Sequence, residues 1–195
     1  MNKKLIIEDL YSLEEYDNKR IAYRKEILTH KKNRKVTIGK HVSILFEDYK
    51  TIQYQIQEML RIEKILEKKN IQNELDSYNP LIPNGNNWKA TMFIEYPDPE
   101  QRRKALSLLV GIEDKVWVKI SNYKEIYAIA DEDMDRTRSG KTSAVHFLRF
   151  ELSSDLIKSL NHSVPIIFGI DHENYQHNTG DLAEAIKTSI IKDLD

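Results

Sequence analysis

Carboxylates, imidazoles and cations are the side chains through which this chain can do chemistry, because it contains no Cys. Disulfides, thiolate metal sites, iron–sulfur ligation and a cysteine nucleophile are excluded together. What remains for a transition metal is imidazole combined with carboxylate. His residues stand at positions 30, 41, 146, 162, 172 and 177, with no His-Glu-x-x-His spacing among them. His146 lies beside Phe147 in a predicted strand. The bland role there is a hydrogen-bonded core histidine; the sharper one pairs it with His172, with Asp171 as an outer acceptor. The run Asp131-Glu132-Asp133-Met134-Asp135 sets carboxylates at alternate positions, as oxygen ligands to a divalent cation are set. As a calcium loop it fails at its sixth residue, Arg136, and its twelfth, Thr142, while Arg136, Arg138 and Lys141 are close enough to neutralise it.

Two further patterns invite a ligand. Gly140-Lys141-Thr142 ends like a phosphate loop, but Asp135 occupies the place of its first glycine and a strand, not a helix, should follow. Lys31, Lys32, Arg34, Lys35 and Lys40, with Arg24 and Lys25 just before them, form the densest basic cluster, and Tyr23 is nearby for stacking. A nucleic acid is one reading of it; cations drawn to a helix C-terminus by the helix dipole are the other, and the favoured one.

The elements that must position these residues follow from pattern. Ser12 and Glu15 form a capping box opening a helix to about Arg34, whose apolar face of Leu13, Tyr16, Tyr23 and Ile27 is interrupted by Arg20. Residues 36–38 and 41–46 read as a hairpin. A second long helix spans about 48–69, with Ile52, Ile56, Met59, Leu66 and the intruding Glu63 on one face. An unpaired buried charge costs several kcal/mol, so Arg20 and Glu63 are expected to pair between the two helices. A short helix over 71–78, a strand over 88–96 and a helix from Asp98-Pro99 to about Val110 come next. A second hairpin over 116–120 and 125–130 should share its sheet with a strand over 143–152. A short helix to Leu160, a strand over 165–170 and a closing helix over 182–194 complete an α+β chain. Its sheet is expected to be mainly antiparallel, with a partly closed barrel as one form, behind an N-terminal pair of long helices.

The 195 residues fit a single domain, 1–195. Formal net charge is -1, from 30 Lys+Arg against 31 Asp+Glu, so no global field steers the protein toward nucleic acid or an anionic membrane. No apolar run suits a signal peptide or a membrane span, and the expectation is a cytoplasmic protein with no membrane partner.

Phe46-Glu47-Asp48, the run 54–63, Tyr78-Asn79-Pro80-Leu81-Ile82-Pro83, the run 88–96, Ala130-Asp131-Glu132-Asp133 and the run 141–150 together resemble a bacterial family known only as domain of unknown function 3501. The likeness covers nearly the whole chain. It brings no established activity or fold, but the gene neighbourhoods of that family imply a setting in peroxide or iron metabolism and a rubrerythrin-type redox protein as partner. Carried over residue by residue, the resemblance singles out Gln57, Glu58, Arg61, Glu63, Asn79, Glu95, Asp133, Lys141, Ser143, His146 and Arg149 as polar positions that packing does not demand. If they converge, Glu58, Glu63, Glu95 and His146 supply a donor set suited to non-haem iron or manganese. Three functions are then expected to compete: a non-catalytic accessory protein of redox or iron metabolism with a polar pocket between the second helix and the sheet, a metal-dependent enzyme, and a nucleic-acid binder using the Lys31–Lys40 cluster.

Overall fold

Ser12 accepts a hydrogen bond from the Glu15 amide while Glu15 reaches back to the Ser12 amide, and the capping box starts helix α1 (Leu13–Lys32) as its sequence predicts. This computed structural model describes residues 4–132, 136, 140–161 and 163–195. Asp48 caps α2 (Tyr49–Glu63) through the Thr51 amide. That helix is shorter than its pattern predicts. Lys64 turns left-handed at φ 54° and ends it, and Leu66, expected on the apolar face, is left exposed. Helix α3 (Lys68–Tyr78) follows at once.

The strands form two antiparallel sheets rather than a partly closed barrel. One holds β1 (Lys35–Ile38), β2 (Val42–Phe46), β3 (Asn87–Ile94), β7 (Val145–Glu151) and the short β6 (Ile129–Ala130), in that spatial order. The other runs β5 (Ile126–Tyr127), β4 (Val116–Ile120), β8 (Ile166–His172) and β9 (Tyr175–Asn178). The predicted second hairpin therefore divides at Ala128: β5 stays with β4, while β6 crosses to β7. Residues 145–151 pair with β3 in the first sheet, and β9 is a strand to which the sequence pattern assigns no element. Helices α4 (Pro99–Leu108), α5 (Ser154–Ser159) and α6 (Glu184–Ile191) fill the connections.

Alternation decides what each sheet buries. Trp88, Ala90, Met92 and Ile94 of β3, with Leu148 and Phe150 of β7, meet Val116, Val118, Ile120, Ile166, Phe168 and Ile170 of the other sheet. Phe168 lies at the centre, its ring 5.0 Å from Phe46 and 5.3 Å from Phe150. The Trp88 indole donates to the Ile190 carbonyl at 2.8 Å and so pins α6 to the core. A second, smaller core of Leu5, Ile52, Ile56, Leu60 and Leu75 lies within the helical layer. Glu47 joins the two: Thr51 on α2 and Thr91 on β3 each donate to its buried carboxylate at 2.6 Å.

A candidate cation centre at His146

β7 begins at Val145, so its second residue, His146, points inward and is fully buried. On one side of the ring, Nδ1 lies 2.6 Å from Asp131 Oδ2. Asp131 follows β6 directly and takes a left-handed backbone, φ 47°, that turns its carboxylate onto β7. Its other oxygen accepts the Phe147 amide at 2.9 Å and an Arg136 N–H at 3.2 Å. On the far side of the ring, Nε2 is 2.9 Å from Thr142 Oγ1, 3.0 Å from the Ser143 carbonyl and 3.9 Å from Glu113 Oε2. Glu113 stands in the single turn over 112–115 that precedes β4, and Thr142 is held to α4 by its amide, which donates to the Leu106 carbonyl at 3.0 Å. Three segments, around residues 113, 131 and 142–146, thus converge on one imidazole.

The geometry gives the two nitrogens different roles. Asp131, receiving donors at both oxygens, orients the ring through Nδ1–H, the arrangement that prepares Nε2 as a ligand. The Ser143 carbonyl can only accept, so its contact with Nε2 is a hydrogen bond only when that nitrogen bears a proton, and in that form Nε2 is no base for the Thr142 hydroxyl. That distinguishes the cluster from an Asp–His–Thr nucleophilic triad, whose imidazole must take a proton from the hydroxyl. Ligand atoms of Glu113, Asp131 and His146 lie within 4.8 Å of one another, and among the described residues no other group of three His, Asp or Glu side chains comes as close.

The metal set expected from the resemblance does not assemble. Glu58 accepts from Tyr16 at 2.7 Å and takes the Arg20 guanidinium on both oxygens, at 2.7 and 2.8 Å. Arg20 therefore pairs with Glu58 rather than Glu63, since Glu58 lies on the α2 face turned to α1 while Glu63 is exposed at the helix end. Glu95 is held by Ser43 at 2.6 Å and Lys35 at 3.4 Å. His146 is the one member of that set in the cluster.

The other polar positions serve separate purposes. Gln57 accepts the Tyr11 amide and donates to its carbonyl, and Asn79 does the same for Leu5, so both fasten the N-terminal segment. Arg61 faces Asp17 across α1 and α2 at 3.2 Å. Arg149 is forked onto Glu132 at 2.8 Å and also bound to Glu151. Lys141 is exposed, and Asp133 and His162 lie outside the described residues. His172 donates from Nε2 to the Val110 carbonyl and forms no site with His146, while Asp171 accepts from Tyr127. The basic cluster loses its centre: Arg34 is buried against the Phe46 and Glu47 carbonyls, Lys35 pairs with Glu95, and Lys31 lies over the Tyr54 ring. Among the described residues no helix is long and apolar enough to cross a membrane.

Sequence reasoning reached His146 and noticed Asp131, but only as part of an acidic run, and it missed Glu113 altogether. Glu113 sits between Ile112 and Asp114 with nothing in its spacing to mark it.

A family described as "Protein of unknown function (DUF3501)" matches residues 4–194. No curated protein matches the chain. Among solved structures it is similar to a crystal structure at 1.90 Å resolution described as a novel protein of unknown function from Burkholderia pseudomallei K96243. The two are 46% identical, the match covers 99% of this chain and 100% of that one, and the TM-score is 0.94.

Proposed function

The chain belongs to the DUF3501 family, and we propose that it is a non-catalytic metal-binding protein that holds iron or manganese at His146. The observation that carries this reading is the buried imidazole, backed by Asp131 at Nδ1 and facing Glu113, Thr142 and the Ser143 carbonyl at Nε2. His146 Nε2, Glu113 and the Ser143 carbonyl would be the ligands, with Asp131 behind the ring. A mixed nitrogen and oxygen donor set without sulfur suits those ions.

Burial favours binding over catalysis. His146 is 0% exposed and Thr142 2%, so the donors are shut away from solvent and an ion held there would offer no exposed face to a substrate. The setting in peroxide or iron metabolism, with a rubrerythrin-type partner, rests on the family resemblance alone.

The test is the metal content and absorption spectrum of protein purified without chelator or affinity tag, beside Glu113→Gln and His146→Ala. We expect near-stoichiometric iron or manganese that both variants lose, an affinity about 10–100-fold weaker in Asp131→Asn, and weaker binding as pH falls because the ion displaces the Nε2 proton. Absence of metal from the native protein, together with failure to take up added Fe(II) or Mn(II), would leave the cluster a hydrogen-bonded brace and overturn the proposal. Turnover of peroxide by the loaded protein would replace it with the metal-dependent enzyme.

A further inference from the structure

An open cavity of about 670 Å³ lies on the outer face of the first sheet, where β2 begins and β3 ends. Its floor is apolar: Phe93 and Val145 are cross-strand neighbours on β3 and β7, and Pro97 adjoins them. One wall is a pair of stacked rings, His41 and Tyr96, 3.9 Å apart and 12° from parallel. His41 Nδ1 meets the Glu95 carbonyl at 3.1 Å, which fixes the ring and leaves Nε2 free of that contact.

The charges around this cavity do not balance. Glu95 is its carboxylate, and its charge is already offset: Ser43 donates to it and Lys35 lies 3.4 Å away, which together hold it below the usual carboxylate range. Lys40 and Arg102 remain. Arg102, in the second turn of α4, spends one N–H on the Tyr96 carbonyl at 3.2 Å. Among the described residues, neither Lys40 nor Arg102 has a carboxylate at ion-pair distance, whereas Arg20, Arg34, Arg61, Arg103, Arg136 and Arg149 each have one. Glu100, the nearest acid in sequence to Arg102, pairs with Arg103 at 2.9 Å, and Asp98 is occupied in capping α4 through the Gln101 amide. A half-buried guanidinium with spare donors, beside apolar and aromatic surfaces, is the usual equipment for recognising an anionic group on a flat apolar body.

We infer that this cavity binds a small aromatic acid, its ring against Phe93, Val145 and the His41–Tyr96 stack and its carboxylate or phosphate oxygens on Arg102 and Lys40. The site shares no side chain with the His146 centre and does not depend on a metal there.

Titration of the full chain with benzoate, phenyl phosphate and inorganic phosphate, followed by protein NMR, tests it. The expected result is saturable shifts at Phe93, Tyr96 and Val145 with one or both aromatic acids, and about tenfold weaker binding of inorganic phosphate. Arg102→Met should weaken the aromatic acid about tenfold, the effect of losing a charge-assisted hydrogen bond, and Glu95→Gln should not weaken it. If Arg102→Met fails to fold, Lys40→Ala on the exposed turn carries the same expectation of a weaker complex. The stronger of benzoate and phenyl phosphate identifies the oxyanion. Three results would overturn the inference: no shifts at the cavity with either aromatic acid, inorganic phosphate binding as tightly as both, or unchanged affinity in Arg102→Met and Lys40→Ala.

Discussion

Arg34 places one guanidinium between two carboxylates whose surroundings push them apart. It donates to the carbonyls of Phe46, Glu47 and Ser189 and to the Asp193 carboxylate, with Asp48 at 3.5 Å. Burial raises Asp193 to about 6, the pull of Arg34 notwithstanding. Asp48 resists its own burial and lies below its usual range, because Arg34, the Thr51 amide and His30 all favour its charge. The consequences for stability have opposite signs. Asp193 binds its proton more tightly folded than unfolded, so its contribution is complete below pH 3.8 and is lost as pH rises through about 6. Asp193→Asn fixes the neutral form. The variant should therefore gain on the native protein between those pH values, by at most about 3 kcal/mol. Asp48→Asn should lose ground as pH rises through the acid range, since the native carboxylate then acquires its charge. Urea unfolding of the native protein and both variants at several pH values checks the signs; parallel curves for native and Asp193→Asn would remove the linkage.

At the scale of elements, caps and alternation were legible in the sequence and long-range pairing was not. Ser12 and Asp98 each accept the helical amide that their positions foretell, and Asp48 and Ser153 do the same where α2 and α5 begin. The strand over 143–152 was found and residues 129–130 of the second hairpin do lie beside it, but its main partner β3 was not, because alternation says which face a residue takes and nothing about which strand lies alongside. The same limit separated Arg20 from its true partner: both Glu58 and Glu63 lie on α2, and only the rotation of α2 against α1 chooses between them. His146 was visible as a residue type and Thr142 stands four residues before it, but Glu113 reaches it from the turn that precedes β4, which no local spacing records. Pairing also explains a glycine that reads as a flaw in a strand. Gly169 of β8 sits directly across from Trp117 of β4, and a Cβ built there would stand 2.1 Å from the indole. Gly169→Ala must push the ring aside, with an expected loss of about 1–3 kcal/mol, typical of an overpacked site. Trp117→Leu should recover part of that loss when combined with it. Additive losses in the double variant would show that the glycine serves something other than the ring.

At the scale of the whole molecule, the described residues form two hydrophobic cores, and whether these unfold together depends on polar residues. The sheets enclose the larger core, and the helical layer encloses the smaller one around Ile52, Ile56 and Leu75. The sequence reads as a single domain, because no linker or change in composition separates the two, and nothing in it marks that the domain holds two cores. The ties between them are buried and specific. Glu47 is shared by α2 and β3 through two threonine hydroxyls, and Arg34, just beyond α1, grips the end of β2 together with the α6 residue Ser189 and the Asp193 that follows that helix. Breaking either tie leaves polar groups buried and unpaired, at about 1–3 kcal/mol each. Separating the layers is therefore costly, and we expect a single transition. Most helical residues lie in α1–α3, whereas Trp88 sits in the sheet core. Far-UV circular dichroism and tryptophan emission thus report on different layers, and their denaturant midpoints should coincide. A helical signal lost at lower denaturant than the tryptophan signal would make the helical layer a separate unit. Glu47→Ala, which removes the shared carboxylate, is the variant in which such a separation should first emerge if the tie is what couples the two cores.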